Sequence, residues 1–304
     1  LLAMPIKIIY KRVICGLIIA ASLFFPYLFN ANVSAAPLDR GLTLSPLRSE
    51  IETAPGTSIE GFLTVTNSTK KPMDVAINAE AFSIINQQYD YAFTAESRIN
   101  KWVTFSPNEI TIGPGKNQKI QYNIGVPLSA EPGGRYISLF ASTSASSQDG
   151  VVQSRQRIAS LIYITVTGDV SRDGHLVSLT SPWGVFSDKS DWSLALQNTG
   201  TTHFRSRYNV KLQNILWGTA ASSMSGDKLV LPGTVRAVSD KLPLPQWPGV
   251  YKIVYTIGLG DTPAVSETRL MLYLPPLAIL SSVATIVIIV LAFRFRRKSK
   301  TDSA

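Results

Sequence analysis

The sequence predicts an all-β protein of two β-sandwiches in tandem, framed by two apolar ends. Three observations carry that expectation. Apolar residues between about residues 37 and 273 alternate in short runs, with almost no helical periodicity. Those runs are divided by Pro, Gly, Asn and Asp at the spacing of an antiparallel sandwich. The only cysteine, Cys15, lies in the first apolar end, so each sandwich must be held by its apolar core without disulfides.

The N-terminal end reads as a signal peptide over 1–36. Lys7, Lys11 and Arg12 form a basic region, an apolar stretch runs from Val13 to Phe29, and Val33 and Ala35 stand at minus three and minus one of a cleavage site. Cleavage after Ala36 fits almost as well. At the other end, residues 274–293 carry no charge, and Arg294, Arg296, Arg297, Lys298 and Lys300 follow. Twenty such residues would span about 30 Å as a helix, which predicts one transmembrane helix over 274–293 and a basic cytoplasmic tail over 294–304. The expected location is the cell membrane of a bacterial envelope. The chain would be single-pass, with the domains outside, the C-terminus in the cytoplasm and the lipid bilayer as a partner through 274–293.

The first domain is expected over 37–170. LTLSPLRSEIE (42–52) reads as one strand interrupted at Pro46, which suits an edge. Pro55-Gly56 is a turn, and Gly61, Leu63 and Val65 share a face of the next strand. Residues 67–72 form a turn. Asn67 in NST would be a glycan acceptor only in a eukaryotic host. Val75, Ile77 and Ala79 alternate with Asp74, Asn78 and Glu80, whereas 83–100 is polar and aromatic without a pattern and reads as a long loop or short hairpin. Strands follow over 102–107 and 109–115, with Pro114-Gly115 as a turn, and Ile120, Tyr122 and Ile124 mark the next strand. Residues 133–143, a Ser-rich loop and a last strand near 155–167 close the domain.

The second domain is expected over 171–273. Its strands fall at 175–181, 191–198, 203–217, 228–232, 234–240, 251–259 and 266–274, with turns at Asn198-Thr199-Gly200 and Pro232-Gly233. Seven strands in about 100 residues is the immunoglobulin-like size, without the usual Cys…Trp…Cys pattern.

Charge excludes one function class. The formal net charge is +9, but the span 36–275 holds 21 basic and 19 acidic residues, which leaves no nucleic-acid footprint. Chemistry is equally sparse. His175 and His203 have no metal-ligand spacing, and no nucleophile elbow, phosphate loop or calcium loop is present. No cofactor and no catalytic residue is expected. Dispersed carboxylates leave a glycan-acting envelope enzyme as a distant alternative.

Binding is expected on loops of the rigid sandwiches. Trp183 in SPWG and Trp247 in PQWPG lie in loops and are candidate stacking surfaces, as are Tyr89, Tyr91 and Phe93 of the 83–100 segment. Trp102, Trp192 and Trp217 read as packing residues. A further route to binding needs no special side chain: the strand near 155–167, with its long lead-in, could present an open edge to a partner strand.

The order of motifs resembles a known family. LTLSPLRSEIETAPGTSIEGFLTVTNSTKKPMDV, WVTFSPNEITIGPGKNQKIQYNIGVP and PGGRYISLFAS resemble the N-terminal domain of bacterial WxL-interacting surface proteins. LQNTG and VLPGTVRAV…WPGVYKIVYTIG resemble that family's membrane-proximal domain. More distantly, the chain is similar to pilus-chaperone-type immunoglobulin-like domains. The first resemblance implies a membrane-anchored envelope scaffold or adhesion protein, binding peptidoglycan, another cell-wall glycan or a partner surface protein. The second implies a chaperone-like assembly factor presenting a β edge strand. Neither supplies matched ligand-contacting residues.

Overall fold

The computed structural model describes residues 41–290, except 144–146, 149–150, 153–155, 188, 217, 219, 277, 281 and 288. The expected signal peptide 1–36, the tail 294–304 and Trp217 lie outside the described residues.

The first sandwich begins with a division of labour. LTLSPLRSEIE forms two strands in opposite sheets, rather than the single strand its alternation suggests. β1 (Leu42–Ser45) pairs antiparallel with β3 (Ser58–Asn67), while β2 (Arg48–Thr53) crosses to the other sheet. Pro46 sits at the crossing, where its missing amide disturbs no ladder. β4 (Met73–Ile84), β5 (Tyr91–Thr94), β6 (Val103–Ser106), β7 (Glu109–Ile112), β8 (Asn117–Gly125) and β9 (Gly133–Thr143) follow. A small hairpin of β10 (Ser147–Gln148) and β11 (Val151–Val152) then leads to β12 (Arg157–Val166). One sheet runs β1-β3-β8-β6 and the other β2-β12-β9-β4-β5, with β7 on the start of β4. Leu63, Val65, Ile120, Ile124, Ile137, Leu139, Ile162 and Ile164 fill the space between them. The predicted alternation of Ile120, Tyr122 and Ile124 is the inward face of β8.

The second sandwich repeats the plan. β13 (Gly174–Thr180), β15 (Asp191–Asn198) and β18 (Val235–Lys241) make one sheet. β14 (Gly184–Val185), β20 (Thr262–Tyr273), β19 (Gly249–Leu259), β16 (Phe204–Asn214) and β17 (Ala220–Val230) make the other. Trp192 is buried, with its ring 5.6 Å from those of Tyr208 and Tyr255, and Leu194 and Leu196 complete its face.

Each sandwich closes one turn with a buried asparagine. Asn67 Nδ2 donates to the carbonyls of Lys71 (2.7 Å) and Ile112 (2.9 Å), and its Oδ1 accepts the Thr69 amide. Asn198 Nδ2 donates to those of Thr202 (2.9 Å) and Val230 (2.8 Å), and its Oδ1 accepts the Gly200 amide. Both side chains thus satisfy buried backbone groups that a turn would otherwise orphan. The Asn67 amide is committed to the fold and is no free glycan acceptor.

The C-terminal expectation requires correction. Among the described residues, no helix is long and apolar enough to cross a membrane. The described helical positions fall between 276 and 290. An uncharged run reports a transfer preference and does not by itself set a helix length. The transmembrane helix over 274–293, the single-pass membrane location with an outward ectodomain, and the lipid bilayer as a partner are withdrawn together.

Candidate functional site

The last strand of the first sandwich has one open flank. β12 pairs with β9 along its whole length, from Arg157↔Ser142 to Val166↔Gly133. On its other side β2 runs parallel to it only from Leu161↔Arg48 to Val166↔Thr53. The Leu161 amide donates to the Leu47 carbonyl and the Thr167 amide to that of Thr53. Odd-numbered residues of β12 therefore turn their backbone groups towards β2. Arg157 and Ala159 are odd, and among the described residues no strand pairs with them on this flank, although β1 passes close by and its Leu42 amide donates to the neighbouring Gln156 side chain at 2.9 Å. Their amides and carbonyls form a short unpaired edge. Leu47, 60% exposed, stands at its lower end.

Side chains around this gap are not neutral bystanders. Ile158 packs into the core, and the Ser160 hydroxyl donates to the Pro46 carbonyl at 2.7 Å, fixing the point where β1 and β2 part. Arg157 does not cover its own edge. Its guanidinium lies 3.4 Å from the centre of the Phe140 ring and pairs with Glu80 of β4 at 2.5 Å.

β20 offers the corresponding flank in the second sandwich. β14 lies beside it only at Leu272 and Tyr273, so most of its length is open. The Leu272 amide donates to Trp183 and that of Leu274 to Val185, which places the outward backbone groups on even-numbered residues. Glu267 and Arg269 stand opposite Tyr255 and Ile253, both buried, so these charges sit on the core-facing side of the strand. They pair with each other at 2.8 Å. Inward charges on an edge strand are a recognised guard against pairing with a foreign strand. β17, at the far end of the same sheet, exposes Ala220, Ala221, Ser223, Ser225 and Asp227, which offer little apolar grip.

The two sandwiches are joined by an aromatic and ionic seam. Phe82, Tyr89, Tyr163, Leu229 and Leu231 form a shared cluster. Tyr89 is 5% exposed, has φ 71° and receives the Leu231 amide on its hydroxyl, which also bonds Thr234. Burial raises its pKa, and the two hydrogen bonds work against that rise. Arg236 lies 4.0 Å over its ring, and the Ala237 amide, within β18, donates to the Gln87 carbonyl.

On the opposite side of the seam, Glu50, Glu52, Thr165, Arg172, His203, Arg205 and Asp261 line an open cavity of about 380 Å³. Arg205 pairs with Glu50 and with Asp227, and Arg172 with Glu52 at 3.1 Å. The Glu50 hydrogen bond raises the Arg205 pKa. His203 packs on Tyr136 and Tyr163, with Nδ1 3.4 Å from the Tyr136 hydroxyl. Burial lowers its pKa to about 4 and raises that of Tyr136. Among the described residues, no group of three or more His, Cys, Asp or Glu side chains could hold a metal ion. The cavity's cations are already matched to carboxylates. The seam joins the two sandwiches.

The residues singled out from sequence separate into two places. Tyr89, Tyr91 and Phe93 flank Phe82 and the seam, with Tyr89 turned fully inward and Phe93 packed 4.9 Å from Phe140. Trp183 and Trp247 are 75% and 65% exposed, at the end of the second sandwich where Gly184, Leu272 and Val250 lie side by side. They do not meet the first group. Glu50, His203 and Arg205 were missed. The only signal for them was the alternation Phe204, Ser206, Tyr208 against Arg205 and Arg207, which marks a strand but not a joint.

No family model and no curated relative matches the chain, so the resemblance to WxL-interacting surface proteins gains no support. Solved structures give distant likenesses. The class 5 fimbriae chaperone CfaA is 10% identical, with a TM-score of 0.40 over 77% of this chain and 100% of that one. The CsuC–CsuE chaperone–tip adhesion subunit complex of Acinetobacter baumannii gives 15% identity and a TM-score of 0.37, over 77% of this chain and 99% of that one. The Salmonella enterica SafA pilin–SafB chaperone complex gives 11% and 0.37, over 75% and 96%. Scores this low tell nothing of what it binds.

Proposed function

We propose that this protein is a non-enzymatic, chaperone-like assembly factor that receives a partner's extended segment at the open edge of β12. The observation that carries this reading is the unguarded ladder gap at Arg157 and Ala159, set against the guarded flank of β20. Added strands gain affinity from main-chain hydrogen bonds and specificity from alternate side chains. The gap supplies the first through two residues and the second through Ile158, Ala159 and the exposed Leu47. A membrane-anchored scaffold or adhesion protein on the cell wall, with a wall glycan or the bilayer as partner, is not upheld, since among the described residues no helix is long and apolar enough to cross a membrane. Kinship with WxL-interacting surface proteins we put forward only on the shared turn and core motifs from Pro46 to Tyr136.

The test uses the full chain and a short fluorescein-labelled peptide of alternating valine and threonine, followed by anisotropy. Binding is expected, and Ala159→Pro should weaken it at least about tenfold, since proline removes a ladder donor. Thr268→Pro, at an outward position of β20, should leave it unchanged. Absence of binding by the unaltered chain, or equal binding by Ala159→Pro, would overturn the proposal.

A further inference from the structure

We infer that Glu80 is a positioning residue for the β12 edge: it holds Arg157 back across the sheet and so keeps the gap open to a guest strand. This rests on the edge-binding function proposed above and adds a residue that does not touch the guest.

The geometry is specific. Arg157 opens the unpaired stretch, and its side chain lies on the outer face of the sheet. On that face it stands opposite Ser142 of β9, and Phe140 stands opposite Ala159. From there the guanidinium reaches diagonally over Phe140 to Glu80 on β4, two strands away. Glu80 is itself largely buried and receives the Asn78 amide at 3.1 Å, so its carboxylate is oriented before the arginine arrives. An arginine held in this way stacks on an aromatic face and satisfies a carboxylate at once. Both interactions draw the charge away from the flank where a guest would pair.

Release would have the opposite effect. A free guanidinium at the first residue of an open edge is a strongly solvated charge beside an unpaired ladder, the device that excludes foreign strands elsewhere. The second sandwich uses a related device permanently, with Glu267 and Arg269 on the edge strand itself. In the first sandwich the partner carboxylate, Glu80, stands on the interior strand β4, and only the guanidinium of Arg157 reaches away from the edge.

The experiment is a double-mutant cycle with the valine–threonine peptide and the full chain. Glu80→Ala should weaken binding about tenfold, Arg157→Ala should leave it within about twofold of the unaltered chain, and the double variant should recover the Arg157→Ala value. Glu80→Gln, which keeps the shape and removes the charge, should fall between, and guards against a folding defect in Glu80→Ala. A merely structural Glu80 would not be rescued by removing Arg157. Equal binding by Glu80→Ala and the unaltered chain, or failure of the double variant to recover, would overturn the inference while leaving the edge function intact. No binding by the unaltered chain would remove both.

Discussion

The two sandwiches are built from the same parts and use them differently. In each, the first strand splits between sheets, the last strand is only partly flanked by the second half of that split, and a buried asparagine closes a turn. In the first sandwich the flanking strand β2 covers six residues of β12; in the second, β14 covers two of β20. The longer exposed flank carries inward charges and the shorter one does not. Length of an open edge is therefore a poor guide to its use. What distinguishes a docking edge from a liability is where its charges are anchored.

The asparagines sharpen the same contrast. The Asn67 turn ends in solvent-exposed Ser68, Lys70 with its neighbour Lys71, and Pro72, whereas the Asn198 turn lies against the joint. The Thr201 carbonyl receives the Gly134 amide of the first sandwich, and Thr202 bonds Thr165 at 2.8 Å. Asn198→Ala should have the largest effect, about 3 kcal/mol, since three hydrogen bonds are lost and carbonyls stay buried without a donor. Calorimetry should show the melting temperature down by roughly 10 °C and the transition split into two. Asn67→Ala loses a comparable set of bonds but should leave a single transition. Two unchanged single transitions would mean that the joint does not depend on the turn.

A smaller effect is expected from acid. His203 in the folded protein has a pKa of about 4, below its unfolded value near 6.5, so the folded state binds fewer protons between those limits. Its stabilising contribution is complete above about pH 6.5 and is lost as pH falls towards 4. The loss should be on the order of 2–3 kcal/mol. His203→Gln should flatten denaturant-measured stability across that window. A slope unchanged in the variant would assign the acid sensitivity to other groups.

Smallest in stability, yet visible in assembly, is removal of the guard. Glu267→Val with Arg269→Val should change stability by no more than about 1 kcal/mol, because an exposed ion pair contributes little. Sedimentation should nevertheless reveal concentration-dependent dimers or larger species through the freed β20 edge. A strictly monomeric double variant would show that the flank is protected by something other than charge.

Much of this architecture was legible in the residues. Ile120, Tyr122 and Ile124, or Trp192, Leu194 and Leu196, alternate because one face of their strand meets a core. Alternation does not tell what covers the other face. Tyr136 and Tyr163 lie on the outer face of the first sandwich, yet they are covered by the second. Likewise 83–100 showed no pattern because Tyr89 is buried by a different domain through a residue with positive φ, which no local period encodes. The split at Pro46 was hidden for a related reason: both halves alternate, but towards opposite sheets. At the C-terminus, hydropathy described the solvent a segment prefers, and among the described residues no helix is long and apolar enough to cross a membrane.

Pro46 has one more consequence. It works as a ruler. The point at which the first strand changes sheets determines where β2 starts, and so leaves four residues of β12, Arg157 to Ser160, without a β2 partner. At about 3.3 Å per residue that is a slot of roughly 13 Å. Moving the crossing by two residues would lengthen or shorten the slot without turning any side chain to the wrong face, because the period of a strand is two. The length of the stretch without a β2 partner is thus written in the position of a single proline, remote in sequence from the strand it measures.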